Sequence, residues 1–399
     1  MTSILPTTAS TNATQPRRYH FTLSSQRSSL SARSYSYPIL VQDAPDWPTF
    51  VQRMRSLESD HVTLIADDGL PETLIADVAA QFQSTGTPFL LVRLEARKQM
   101  KTLETAMRIV TSARADGGGT HRSCFVTLGG GVIGNIAGLA AALLVRGVRL
   151  VHIPTTLLAA TDSILSLKQG VNVRDANGRL IKNLLGTFYA PEYVLVYTSF
   201  WRTLPASEIR AGLCELVKNV IGIHPQHLEE VLALLRPEAV YTPQECQRIF
   251  ELCFTAKQEV MRADAHEKGP ALVLELGHTF GHAWESQTGL THGLSVGLGL
   301  LVEAQIAARR GWLAPGDVDM ITRLLQRNGA LTTLPHDLDS EAILALMRAD
   351  NKIGYLPHRP GSHVMVLLQR FGQPARTQGL PLTFVAEAEV RAAIASLQH

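Results

Sequence analysis

The stretch at residues 127–134, TLGGGVIG, constrains this chain more than any other. An apolar run at 124–128 leads into it and an alanine- and leucine-rich segment at 137–144 leaves it, which reads as strand, glycine turn and helix. Such a unit commits its surroundings to a parallel sheet. Further apolar runs at 61–65, 89–92 and 150–153, separated by amphipathic stretches such as 103–113, fit buried parallel strands. Gly129, Gly131 and Gly134 satisfy G-x-G-x-x-G, in which backbone amides at a helix N-terminus approach a diphosphate. A tight turn uses glycines equally well. The acidic residue expected roughly 20 positions later is missing, and Asp67, closing the run TLIAD, is the candidate ribose contact.

At 399 residues the chain exceeds what one core usually serves, so two domains are expected. Past Trp201 the pattern turns helical, which places the boundary near 200. The expected fold class is α/β plus α, with a Rossmann-like dinucleotide domain at 38–200 and an all-helical domain at 201–399. Residues 1–37 are rich in Ser and Thr, carry Arg17, Arg18, Arg27 and Arg33, and precede the first acidic residue, Asp43. That composition is expected to be a disordered tail, with a transit-type peptide as the alternative.

A formal net charge of +2 argues against a nucleic-acid or membrane partner. No uncharged apolar run reaches the length of a membrane span. Cys124, Cys214, Cys246 and Cys253 form no C-x-x-C pair and read as reduced thiols of a cytoplasmic protein.

Chemistry concentrates in GHTFGHAWESQTGLTHG, residues 277–293. A helical reading puts His278 and His282 one turn apart on one face, and His292 follows the helix-breaking Gly289. Thr279 stands where H-E-x-x-H would need glutamate. Glu215 lies between Leu213 and Leu216, where a carboxylate needs a partner or a metal. Lys218 is the alternative partner, as a surface pair. Glu215 completes a His, His, Glu set suited to zinc. Thr155, Thr156, Asp162, Lys168 and Asn172 follow a strand end, and Lys182, Asn183, Lys257 and Lys352 are further isolated polar or cationic positions.

These motifs together resemble a known family. GGGVIGN, IPTTLLAATDS, KNLLGTFY, GLCELVKN, GHTFGHA and DNK, covering about residues 60–370, are similar to the sugar phosphate cyclases of the 3-dehydroquinate synthase superfamily. SILSLKQGVN, CELVKN and DNKIGY are most similar to its 2-deoxy-scyllo-inosose synthases. The resemblance implies a lyase-type cyclase that converts D-glucose 6-phosphate to a carbocycle with loss of phosphate, opening the 2-deoxystreptamine aminoglycoside pathway. It implies transient oxidation by NAD+, a divalent metal (zinc or cobalt), a sugar phosphate as the small-molecule partner, and a homodimer.

By the same resemblance Glu215, His278 and His292 hold the metal. Asp67, Lys101, Gly129, Gly130, Gly131, Asn135, Thr155, Thr156, Asp162, Lys168 and Lys182 serve the dinucleotide. Lys168, Asn183, Glu275, His282, Lys218, Lys257 and Lys352 serve the sugar and its phosphate. Ala271 and Glu275 stand where dehydroquinate synthases carry the arginine and asparagine for a substrate carboxylate. Glu275 repels a carboxylate and accepts from neutral hydroxyls, or pairs with a nearby lysine. Three departures are Leu294 and Lys98, where glutamate is usual, and a longer loop before Lys182. Alternatives are a cyclase for sedoheptulose 7-phosphate or the dehydroquinate precursor, and a metal-dependent polyol dehydrogenase.

Overall fold

The structure is a computed structural model that describes residues 16–25, 33–174, 178 and 180–398. Its first half contains β1 (Arg17–Ser25), β2 (Arg33–Gln42), α1 (Trp47–Ser56), β3 (Val62–Asp67), α2 (Glu72–Thr85), β4 (Phe89–Leu94), α3 (Leu103–Ala115), β5 (Cys124–Gly129), α4 (Gly131–Leu143), β6 (Arg149–Pro154), β7 (Lys168–Arg174), β8 (Leu180–Phe188) and β9 (Tyr193–Tyr197). Among the described residues a seven-stranded sheet runs in the order β1-β2-β9-β6-β5-β3-β4, parallel except for the β1–β2 hairpin. Strands β7 and β8 pair separately.

Alternate side chains of each central strand face different helices. Ile65, Phe125 and Leu150 pack with Ile109, Ile136 and Ala137 of α3 and α4. Leu64, Val126 and Val151 cluster instead with Phe50, Val78 and Phe82 of α1 and α2. Burial on both faces is why these strands read as unbroken apolar runs. The chain leaves β3 towards β4 and leaves β5 towards β6. The carboxyl ends of β3 and β5 therefore flank a topological switch point, where open α/β sheets bind ligands.

The disordered tail expected at 1–37 is corrected wherever the chain is described. Residues 17–25 and 33–37 belong to β1 and β2. Tyr19, Phe21 and Leu23 alternate with polar residues, a period of two that the serine-rich composition disguises. Phe21, Leu23 and Tyr37 are buried, and the Tyr19 and Phe21 rings pack on Phe254 at 5.1 and 5.7 Å. Gln258 covers the open edge of β1, accepting from Thr22 N at 3.0 Å and donating to Thr22 O at 2.6 Å. The rest of that tail, residues 1–15 and 26–32, lies outside the described residues.

Helices dominate from α5 (Ala206–Gly222) through α6 (Leu228–Leu234), α7 (Pro243–Met261), α8 (His278–Thr288), α9 (His292–Arg309), α10 (Pro315–Arg327) and α11 (Ser340–Met347) to α12 (Glu387–Leu397). Before α12, β10 (Ser362–Met365), β11 (Leu368–Arg370), β12 (Gln373–Pro374) and β13 (Thr383–Ala386) form the pairs β10–β13 and β11–β12, which an all-helical expectation leaves out. Helix α9 is buried on nearly all sides and is the axis of this half. It meets α5 and α8 at backbone distance. A methyl group on Gly293 would overlap the Ala211 carbonyl, and one on Gly299 would overlap the Gly277 carbonyl. Among the described residues no helix is long and apolar enough to cross a membrane.

Candidate active site

Helices α5, α8 and α9 converge on the residues the sequence nominates for a metal. His278 opens α8, His292 opens α9, and Glu215 sits mid-way along α5. His278 Nε2 and His292 Nε2 lie 3.8 and 3.5 Å from Glu215 Oε1. Their other nitrogens are held from behind: His278 Nδ1 is 3.0 Å from Leu276 O, and His292 Nδ1 is 3.2 Å from Glu285 Oε2. With Nδ1–H donating there, each ring turns its Nε2 towards Glu215, where a bound cation would take the lone pair in place of a proton. Glu215 is fully buried, and its Oε1 has no hydrogen-bond partner. An orphaned buried carboxylate oxygen facing two imidazole nitrogens fits a divalent cation.

The charges agree with that fit. Burial lowers His278 to about 3, which keeps the imidazole neutral. Burial acts in the same direction on His292, but the neighbouring carboxylates of Glu215 and Glu285 outweigh it and raise this group to about 10. The two carboxylates thus draw to one imidazole the positive charge that a metal would supply. Burial opposes ionisation of Glu215 as well, yet Lys218 and the histidines hold it well below the usual carboxylate range. Lys218 and Glu215 are no surface pair, with side-chain exposures of 2% and 0%. His282 brings a third imidazole, its ligand atom within 4.8 Å of those of His278 and His292. Its Nδ1 faces Asp350 Oδ2 at 3.8 Å.

Around this centre Lys257, Lys168 and Lys352 are each matched to an acid. Lys257 donates to both the carbonyl and Oδ1 of Asp162 at 2.8 Å, capping a π-turn at Ala159–Ser163. Lys168 Nζ lies 2.5 Å from Glu267 Oε2, and Ser166 Oγ donates to Oε1 of the same acid at 2.7 Å. Lys352 Nζ lies 2.9 Å from Asp350 and 3.2 Å from Glu275. Glu275 thus has a lysine partner. Burial would raise Glu275, but the ammonium groups of Lys352 and Lys168 hold it well below its ordinary range.

The expected dinucleotide residues fall into two groups. Asp67, Gly129, Gly130, Gly131, Thr155 and Thr156 stand at the carboxyl ends of β3, β5 and β6, beside the switch point. Helix α4 starts there with no side-chain cap on its amides, and Thr155 Oγ1 is buried without a partner. An ideal Cβ on Gly130 would come 3.3 Å from Thr156 Cγ2, and one on Gly131 3.2 Å from Ser163 Oγ. Asn135 belongs to the scaffold of this loop, since its amide donates to Gly131 O at 2.9 Å and accepts from Gly170 N at 3.0 Å. The second group gathers about β8, where Lys101 Nζ donates to Asn183 Oδ1 at 2.7 Å and Lys182 Nζ lies 3.1 Å from Glu285 Oε2.

Sequence reasoning missed Glu285, Glu267 and Asp350. Glu285 had a signal: it lies three residues after His282 and seven after His278, on the same helical face. Glu267 had none, since it sits in a turn with φ of 51°. Lys98 reaches Glu285 Oε1 at 2.6 Å. Leu294 is core, and the carboxylate beside His292 comes from Glu285. Part of the longer loop before Lys182, residues 175–177 and 179, lies outside the described residues.

Comparison with known proteins places these features in a family. The 3-dehydroquinate synthase N-terminal and C-terminal domains match residues 91–211 and 212–353. The 2-deoxy-scyllo-inosose synthase of Streptoalloteichus tenebrarius is 41% identical over 84% of this chain and 85% of its own length. That of Micromonospora echinospora is 41% identical over 85% and 84%. A crystal structure of a 2-deoxy-scyllo-inosose synthase complexed with carbaglucose-6-phosphate, NAD+ and Co2+ superposes with a TM-score of 0.82 at 33% identity, covering 90% of this chain and 96% of that one.

Proposed function

We propose, for a chain that belongs to the 3-dehydroquinate synthase family and within it to the 2-deoxy-scyllo-inosose synthases, that it converts D-glucose 6-phosphate into 2-deoxy-scyllo-inosose and phosphate in aminoglycoside biosynthesis. The observation that carries the reading is the set of buried Glu215 and His278 with half-buried His292, beside acid-paired lysines. When bound, NAD+ supplies a recycled hydride acceptor and a Zn2+ or Co2+ ion a Lewis acid, for a reaction that removes one phosphoric acid from one hexose phosphate without net oxidation.

The chain's own residues do the rest. Glu215, His278 and His292 would hold the metal, with the carboxylate supplying charge. Lys168, Lys218, Lys257 and Lys352 stand beside Glu267, Glu215, Asp162 and Glu275, which gives an anionic phosphate several donors in a low-dielectric site. Glu275, held ionised, accepts from sugar hydroxyls and repels a substrate carboxylate. His282 shares Asp350 with Lys352 and is placed to exchange a proton with a neighbouring oxygen. The strand-end glycines and Thr155 would take the dinucleotide phosphates on the exposed amides of α4. The reading includes a homodimer, supported by Leu184 and Leu185 standing exposed on β8, and a cytoplasmic place, supported by four buried free cysteines.

The test is phosphate release from purified, metal-loaded protein with NAD+, given D-glucose 6-phosphate or sedoheptulose 7-phosphate separately. Release from glucose 6-phosphate with no lasting NADH absorbance is the expected result. Lasting NADH would mean a dehydrogenase.

A further inference from the structure

Glu285 is buried on α8, and every polar contact the structure gives its carboxylate is to a cation or an imidazole. Its Oε1 lies 2.6 Å from Lys98 Nζ, and its Oε2 lies 3.1 Å from Lys182 Nζ and 3.2 Å from His292 Nδ1. These partners come from opposite halves of the molecule. Lys98 follows β4 and Lys182 lies on β8, whereas Glu285 and His292 belong to α8 and α9.

The two lysine-bearing segments are also tied to each other. Asn172 donates its amide to Lys98 O at 2.9 Å and its backbone N–H to Lys101 O at 2.7 Å, while its Oδ1 accepts from Asn183 N at 3.0 Å. Lys98 and Lys182 thus approach Glu285 from one braced unit. Lys98 Nζ reaches further still, to Leu290 O at 3.5 Å, in the short turn between α8 and α9 that ends at His292.

We propose that Lys98 and Lys182, acting through Glu285, position the His292 imidazole as a metal ligand, so that the metal site is assembled across both halves of the molecule. This rests on the metal reading given above. A buried carboxylate with a single imidazole partner is poorly compensated and free to turn. With two lysines on its outer side it has one favourable orientation, and that orientation presents Oε2 to His292 Nδ1. A carboxylate in this place fixes the ring and its tautomer, and Nε2 then faces Glu215. Lys98 and Glu285 are positioning residues in this scheme, since neither faces Glu215 Oε1. The geometry also means that the sheet half contributes to metal affinity while supplying no ligand.

The experiment is a Co2+ titration of the full chain against a chromogenic chelator, together with the visible absorption of the Co2+ form. Glu285→Gln is expected to weaken Co2+ binding by about 10- to 100-fold and to shift the absorption bands. Lys98→Ala is expected to weaken it several-fold, Lys98→Arg to restore it, and Lys98→Ala to add nothing once Glu285→Gln is present. The partly exposed Lys98 keeps the test open if Glu285→Gln fails to fold. Wild-type affinity and spectrum in Lys98→Ala and Glu285→Gln, with binding lost in His292→Ala, would overturn the proposal and leave the metal reading standing. So would a Lys98→Ala loss that persists in the Glu285→Gln background. Full Co2+ affinity in His292→Ala would overturn both.

Discussion

Lys218 lies one turn beyond Glu215 on α5, with its ammonium against Glu215 Oε2 and both side chains sealed from solvent. Because the pair is buried, removing one partner strands a charge. Lys218→Met is expected to destabilise the metal-free protein by about 3 kcal/mol. Added Zn2+ should recover much of that loss, since the ion binds the folded chain alone and replaces the missing cation. Urea melts of both proteins with and without metal measure this; an equal deficit in the two conditions would refute it.

His152 predicts how stability depends on pH. It is buried between β5 and α4, 2.9 Å from Thr127 Oγ1, and burial lowers it to about 4. The unfolded chain binds this proton near pH 6.5, so the folded state is favoured above that value and loses about 1.4 kcal/mol per pH unit as the pH falls from there towards 4. In His152→Gln the slope of unfolding free energy between pH 5 and 6.5 should be smaller by about one proton. Parallel slopes in the two proteins would show that His152 is already protonated in the fold.

Gly130 tests the crevice at the strand ends. A valine there would crowd Thr156, whose Cγ2 already lies 3.3 Å from an ideal Cβ. Gly130→Val is expected to weaken NAD+ binding at least about tenfold, or 1.4 kcal/mol, with Co2+ affinity unchanged. Calorimetry with each ligand separates the two effects.

Glu275 and Lys352 lie 3.2 Å apart, and each has a separate expected role. Glu275→Gln keeps the shape and removes the charge, so kcat/KM for glucose 6-phosphate should fall by roughly 10- to 100-fold, the range for a hydrogen bond to a charged group. Lys352→Ala should fall further and chiefly in KM, because it removes a phosphate donor and also strands Glu275 and Asp350. Steady-state kinetics of phosphate release decide between these patterns.

What the sequence disclosed follows from how each feature is encoded. The central strands were legible because burial on both faces leaves no charged residue in runs such as CFVTL. Hairpin β1–β2 was hidden, because Tyr19, Phe21 and Leu23 alternate with serine, threonine and arginine in a segment whose average composition reads as unstructured. The π-turn that presents Asp162 to Lys257 has no sequence signature, since it depends on where a helix slips by one residue. Glu215, His278 and His292 were recognisable by residue type. Glu267 was not, because an acid paired across distant segments carries no local pattern.

The contacts of Gly293 with Ala211 and of Gly299 with Gly277 carry a consequence for how such a catalyst can diversify. Main chain touching main chain sets how far α9 stands from α5 and α8, and with it the spacing of the helix backbones that carry Glu215, His278 and His292. Pairs away from the ligands, such as Lys168 with Glu267, can be exchanged without disturbing that spacing. A single methyl group at either crossing would instead disable the chemistry for every substrate at once. The spacing that a bound ion would require thus rests on two positions at which no side chain can be accepted.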